Sequence, residues 1–232
     1  MKETKLKEVQ LKLYERLCKA DWGEPLKLFV LSQEFINILD KLWDESRNGK
    51  KFTPVIKQLF RAFEECSYNE TKVVIIGQDP YPYLNSADGI AFSCSNKNKT
   101  ETSLRFIGNE IKRTVYPDQD YIVPNDLICW ANQGVLLLNT AFTTQVKKVG
   151  KHYELWNPFM TYLLDVLNTN PNLIYVFMGR VASQWNKNIN DKNLRFFLNH
   201  PAHGAYSKKG WDCQNVFNEI NKLLTKKERI KW

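Results

Sequence analysis

Val73-Val74-Ile75-Ile76 runs straight into Gly77-Gln78-Asp79-Pro80-Tyr81-Pro82. Four apolar, β-branched residues with no polar alternation read as a strand covered on both faces. The strand stops at a glycine and hands Gln78, Asp79 and Tyr81 to a turn braced by prolines. A carboxylate in such a place is costly unless it is solvated, paired or used. In an open α/β sheet, ligands bind just outside the carboxyl ends of the strands. Asp79 therefore stands where chemistry is expected.

The same arrangement recurs. Val135-Leu136-Leu137-Leu138 leads into Asn139-Thr140, Leu173 to Met178 into Gly179-Arg180, and Leu194 to Leu198 into Asn199-His200-Pro201. Each run is short and unalternating, as in a sheet buried on both faces. Between the runs lie segments with helical spacing, Ser103 to Val115, Phe159 to Leu167 and Val216 to Leu224. Strands alternating with helices predict an α/β domain with a central four-stranded, mostly parallel sheet flanked by helices. Asp79, Asn139, Arg180 and His200 would then converge at one end of that sheet.

A chain of 232 residues fits one α/β domain with a substantial core. Residues 1–70 read as helical, with Leu6, Val9, Leu13 and Leu17 on one face and Phe35, Ile38, Leu39 and Leu42 on another. No linker, repeat or low-complexity tract separates them from the first strand, so 1–232 is expected to be a single unit. No apolar run is long enough to span a bilayer. The charged start, Met1 to Glu8, lacks the apolar core of a signal peptide. An intracellular, cytoplasmic protein is expected, or a nuclear one in a eukaryotic host.

The five cysteines are scattered, with no Cys-x-x-Cys pair and no Cys/His cluster, which predicts reduced thiols and argues against a structural metal site. Net charge is +8, from 33 basic and 25 acidic residues, and favours a polyanionic partner. Lys147, Lys148 and Lys151 fall in the connection after the second strand, and Lys208 and Lys209 fall just after His200. Both clusters leave the expected active end of the sheet, where they could meet phosphates.

Four motifs occur in order: Gly77-Gln78-Asp79-Pro80-Tyr81, Gly89-Ile90-Ala91-Phe92-Ser93, Trp130-Ala131-Asn132-Gln133-Gly134 continuing through Leu138-Asn139-Thr140, and His200-Pro201. Together they resemble family 1 uracil-DNA glycosylases, and the resemblance extends from Asp21-Trp22 to Ile230-Lys231-Trp232. It implies an enzyme that hydrolyses the bond between uracil and deoxyribose in single- or double-stranded DNA, leaves an abasic site, and needs no metal or cofactor. It implies Asp79 and His200 as catalytic residues and Gln78, Tyr81, Phe92 and Asn139 as the uracil pocket. Phe92 would stack on the base, and Asn139 would pair with O4 and N3–H, which cytosine cannot match. Tyr81 would stand against C5 and exclude the thymine methyl. Asp79 would stabilise the cationic sugar and handle the attacking water, and His200 would donate to O2 of the leaving base. A proteinaceous inhibitor or a replication partner is a further expectation, and a monomer suffices. The competing reading is a non-catalytic DNA-binding or replication-accessory protein on the same fold.

Two departures stand out. The family's first motif normally ends in histidine, and Pro82 stands here instead. After His-Pro the family usually carries Ser-Pro-Leu-Ser, whose leucine fills the gap left by the flipped base. Here the run is Ala202-His203-Gly204-Ala205-Tyr206-Ser207-Lys208-Lys209-Gly210, with glycine at the leucine's offset. Tyr206 or His203 is the expected wedge. Pro201, Lys148, Lys208, Lys209 and Arg180 are expected at the DNA, although Arg180 reads equally well as half of a surface salt bridge.

Overall fold

The computed structural model describes residues 2–94 and 100–232. Three helices come first, α1 (Lys2–Lys19), α2 (Gly23–Val30) and α3 (Gln33–Arg47). Ser32 caps α3 by accepting the Phe35 N–H at 3.2 Å. A short strand β1 (Phe52–Thr53) and helix α4 (Arg61–Glu65) lead to strand β2 (Val73–Gly77). Then follow α5 (Thr102–Thr114), α6 (Ile128–Ala131), β3 (Val135–Asn139), β4 (Thr144–Gln145), α7 (Tyr153–Leu167), β5 (Ile174–Met178), α8 (Arg180–Ser183), β6 (Leu194–Leu198) and α9 (Val216–Leu223). A 3₁₀ turn, Pro201–Ala205, follows β6.

The main sheet has the order β3-β2-β5-β6, and all of its pairings are parallel. The expected α/β sheet is thus present, fully parallel among these four strands. The chain leaves β2 for β3 on one side and returns to β5 on the other, so the carboxyl end of β2 is a topological switch point. Gly77 pairs with Asn139 in register, which sets the turns carrying Asp79 and Asn139 side by side. One expectation needs correction. The β6 run was read as covered on both faces, but β6 is an edge strand, with Leu194 50% and Phe197 46% exposed. An edge strand packed on one side can keep apolar residues that a central strand would bury.

The N-terminal helices share the core rather than forming a separate layer. Phe35 stacks on Phe60 at 5.6 Å, and Phe60, Phe63, Phe142 and Phe159 interlock at 4.9–6.4 Å. Phe142 belongs to the segment after β3, so this aromatic cluster ties α3 and α4 to the functional end of the sheet. A small antiparallel pair, β1 with β4, makes a second tie that the sequence did not signal. Among the described residues no helix is long and apolar enough to cross a membrane.

Trp232 closes the opposite side. It is buried edge-on to Trp130 at 5.4 Å and to Phe217 at 4.9 Å, and its Nε1–H donates to the Phe217 carbonyl at 3.0 Å. Trp232→Ala is expected to cost about 3–5 kcal/mol of unfolding free energy in urea titration, through the cavity left against Trp130.

Candidate active site

The ends of β2, β3 and β6 enclose a cleft of about 450 Å³, lined among others by Asp79, Tyr81, Phe92, Asn139 and His200. Gln78 lines it too, while its carbonyl accepts both the Thr140 N–H at 3.0 Å and the Thr140 hydroxyl at 2.6 Å. That crosslink locks the β2 turn to the β3 turn.

Asp79 is half-buried, and its Oδ2 accepts the Gly150 N–H at 2.7 Å. Burial pushes its carboxyl up; the Gly150 N–H and the Thr144 hydroxyl pull it partly back. Among the described residues no cation pairs with it. It is a carboxylate held by neutral donors, free to face a positive charge developing in the cleft.

The floor is built from backbone upward. Phe92 is buried at φ +65°, a left-handed conformation rare for a large side chain and worth of order 1–3 kcal/mol of strain. Its neighbours hold it there. The Tyr81 hydroxyl donates to the Phe92 carbonyl at 2.9 Å, the Ser93 hydroxyl donates to Asp88 at 2.7 Å, and the Ile90 N–H donates to Asp88 at 3.1 Å. Asp88 is fully buried and ion-paired with Arg61 at 2.8 Å. Gly77 leaves room for this floor, since a Cβ there would sit 2.8 Å from the Phe92 ring and 2.9 Å from Asn139 Oδ1. Phe92 and the Asn139 amide thus make a slot for a flat ring with a hydrogen-bonding edge.

His200 stands 6.2 Å from Phe92, ring centre to ring centre. Its Nδ1 accepts the Ala202 N–H at 3.3 Å, and burial holds the imidazole below its ordinary value. A neutral ring whose Nδ1 accepts carries its proton on Nε2, which leaves one N–H to offer the cleft.

The loop beyond His200 differs from simple expectation. Gly204 is buried, and a Cβ there would meet Phe106 at 2.7 Å and Trp211 at 2.9 Å, so nothing can project from the leucine's offset. Tyr206 is 88% exposed at the mouth of the cleft, alongside Tyr83 and Val149. His203 is exposed but does not line the cleft. Lys148, Lys208 and Lys209 are exposed near it in sequence, outside its lining. Two further residues expected at the DNA lie outside the cleft lining. Pro201 is buried and starts the 3₁₀ turn. Arg180 is exposed at the start of α8 outside the cleft lining, and no ion pair among the described residues involves it.

Sequence reasoning missed the groups that hold Asp79 and Phe92 in place. Asp88 immediately precedes the Gly89 motif, and an acidic residue among buried neighbours was the available signal. Gly150 and His152 left none. His152 is 2% exposed. Its Nδ1 lies 2.8 Å from Thr143 Oγ1, which also accepts the Trp156 indole N–H at 2.8 Å, and its Nε2 lies 3.1 Å from Glu45 Oε2. An indole only donates and a carboxylate only accepts, so the satisfied arrangement runs Thr143 O–H to Nδ1 and Nε2–H to Glu45. This relay pins the segment that presents Gly150 to Asp79. The acid cluster Glu110, Asp212 and Cys213 lies outside the cleft, and Glu110 is already paired with Arg113 at 2.8 Å.

Residues 63–225 match the family model of the uracil DNA glycosylase superfamily. The chain is 32% identical over 239 residues to a uracil-DNA glycosylase of Acinetobacter baumannii (strain SDF), spanning 99% of this chain and 95% of that one. It is 34% identical over 221 residues to a uracil-DNA glycosylase of Clostridioides difficile (strain 630), spanning 91% and 95%. The crystal structure of mimivirus uracil-DNA glycosylase superposes with a TM-score of 0.77 at 25% identity, covering 88% of this chain and 82% of that one.

Burial sets the His152 imidazole below its ordinary value, against the pull of Glu45. The unfolded chain takes up that proton near pH 6.5 and the folded chain does not. Stability is therefore full above that pH and falls as pH drops below it. The unfolding free energy is expected to decline from pH 7.5 to 5.5, and to decline less in His152→Gln. Asp79 and Asp88, whose raised values act with the opposite sign, remain in both proteins, so the difference isolates His152.

Proposed function

The chain belongs to the uracil-DNA glycosylase superfamily, and from that membership we propose how its cleft removes the base. The protein is a hydrolase that excises uracil from DNA. One observation supports the assignment of roles: Asp79, Phe92, Asn139 and His200, which come from four separated stretches of sequence, line a single cleft.

Uracil inside a duplex is out of reach and must leave the stack. Phe92 stacks on the extruded ring, and Asn139 meets O4 and N3–H with its donor and its acceptor. Tyr81 stands where the methyl of thymine would go. Cytosine leaves the Asn139 amide mispaired, and a site built on such bonds rejects the wrong partner by about 10⁴–10⁵.

As the C1′–N1 bond breaks, its electron pair leaves with uracil and positive charge grows on the sugar. His200 Nε2–H donates to uracil O2 as that oxygen becomes anionic. Asp79 faces the sugar cation. Water then forms the new C1′–O bond and gives its proton to Asp79, whose raised carboxyl suits it to accept one. Uracil departs as the anion or takes a proton from solvent.

At the mouth, Tyr206 is the wedge that fills the vacated duplex position, since Gly204 cannot be one. Lys148, Lys208, Lys209 and His203 meet the backbone phosphates, and Arg180 does so further out. A proteinaceous inhibitor would have to cover this same rim. The enzyme acts as a monomer in the cytoplasm, or in the nucleus of a eukaryotic host. The accessory-protein reading is not favoured, because binding DNA calls for neither Asp79 nor the Asn139 slot.

The test is release of uracil from a labelled oligonucleotide carrying one uracil, with EDTA present and alkali added to break the abasic site. Wild type is expected to cleave the uracil strand and leave a thymine control intact. Asp79→Asn is expected to lose at least about 10²-fold in rate; equal rates would reject the assignment of Asp79. Tyr206→Ala is expected to lose about tenfold or more on duplex and little on single strands, since one stacking contact is worth about 1–3 kcal/mol. Equal losses on both would remove Tyr206 from the wedge role.

A further inference from the structure

The turn after β2 carries a second exposed aromatic at the mouth of the cleft. Tyr83 lines the cleft and is 53% exposed. Two residues earlier Tyr81 is turned inward, with its hydroxyl on the Phe92 carbonyl. The backbone that sends Tyr83 outward is fixed at three points. The Pro82 carbonyl accepts the Lys147 N–H at 2.8 Å, and the Tyr83 carbonyl accepts the Ser86 N–H at 3.3 Å. The Ser86 hydroxyl donates to Glu101 Oε1 at 2.9 Å in a buried bond. Asn85 takes the left-handed conformation at φ +61°, which asparagine adopts more readily than most residues.

An exposed tyrosine by itself is ordinary on a protein surface. Two further observations set this one apart. Its backbone is ordered before any ligand arrives, so a ring with only two rotatable bonds can be engaged at little entropic cost. The Lys147 N–H bond also places the exposed pair Lys147 and Lys148 beside the Tyr83 turn. An aromatic face for a base next to cations for phosphates is the combination by which proteins hold single strands. The nucleotides on either side of an extruded uracil are bonded to it, so they lie at the mouth of the cleft that takes the base. In a duplex those neighbours stay paired and stacked. In a single strand their faces are free to take a partner.

We propose that Tyr83 is a stacking platform for the base that adjoins the flipped uracil, with Lys147 and Lys148 on the same stretch of backbone, and that it serves single-stranded substrates above all. The proposal rests on the reading that uracil enters this cleft beside Asp79. The two exposed tyrosines then divide the work, Tyr206 filling the gap in a duplex and Tyr83 holding the strand that has no partner. The ring adds affinity without reading sequence, because every base has a face to stack.

Tyr83→Ala is expected to raise KM on a single-stranded uracil oligonucleotide by about 5- to 100-fold, the range that one stacked base supplies. Its kcat should stay within about twofold, as for loss of binding that is equal in ground and transition states. Tyr83→Phe and Tyr83→Trp should keep the wild-type KM within about threefold, because the face is used and the hydroxyl is not. The deciding substrates carry a baseless tetrahydrofuran residue on one side of the uracil or on the other. On one of the two sides wild type should lose the same factor in KM as the Tyr83→Ala variant, and that variant should lose nothing more. Additive losses on both sides would overturn the proposal, and so would an unchanged KM in Tyr83→Ala. A loss on duplex as large as on single strands would overturn it too. Asp79→Asn is measured alongside. Loss of uracil release in Asp79→Asn with an unchanged KM in Tyr83→Ala removes Tyr83 alone, whereas full activity in Asp79→Asn removes the underlying reading of the cleft.

Discussion

Asp79 is a carboxylate carried to the end of a buried strand, and holding it there organises much of the molecule. Desolvation makes such a group costly, and its offset comes from the Gly150 N–H and the Thr144 hydroxyl. Both belong to the segment after β3, so that segment must fold back over β2. Two ties keep it there. The β4 pairing with β1 continues in the Val146 N–H, which donates to the Lys51 carbonyl at 2.9 Å. The His152–Glu45 contact joins the segment to α3. The N-terminal helices thus reach the cleft through the segment that restrains the Asp79 carboxylate, which gives them a place in the same unit as the sheet.

Asp79 and Asp88 both sit at this end of the sheet, and their partners sort them into different tasks. Asp88 is matched by the Arg61 guanidinium and spends its remaining capacity on Ser93 and Ile90, so its charge is cancelled locally and its effect is to fix the Phe92 loop. Among the described residues Asp79 has neutral donors only, so its field reaches into the cleft uncancelled. A cation beside Asp79 would stabilise the resting protein and weaken its pull on a sugar cation by the same interaction. Breaking the Asp88 pair would instead leave Arg61 with Asp126 and Glu65 and release the floor.

The strand ends were legible because each is written in local sequence. A β-branched or leucine run gives the strand, the first polar residue after it gives the site, and parallel register does the rest, as with Gly77 opposite Asn139. The supporting groups were not legible for the opposite reason. Gly150 meets Asp79 across 71 residues, and His152 meets Glu45 across 107, with no periodicity that relates them. The placement of Arg180 and Pro201 was not legible for a related cause. Position in sequence next to a strand end does not say which way a side chain leaves the turn, and burial at 201 and outward placement at 180 are settled by packing alone.

The two halves of the site also differ in how much change they can absorb. Recognising uracil requires a donor and an acceptor at fixed positions over a flat floor, and a shift there leaves buried polar groups unpaired. Asn139 sits on a strand end that the core over-determines, and Phe92 on a loop that Asp88 fixes. Filling the gap behind a flipped base requires only a flat or bulky group that can reach it, because every base offers a face to stack on. The loop after His200 can therefore bury Gly204 against Phe106 and Trp211 and advance its exposed group to Tyr206 without disturbing the imidazole that precedes it. His200 is held independently, by its own contact with Ala202 and by the Trp211 indole N–H donated to the Asn199 carbonyl at 2.8 Å. That separation of anchors is the physical reason a loop so unlike the usual one can coexist with an intact pocket.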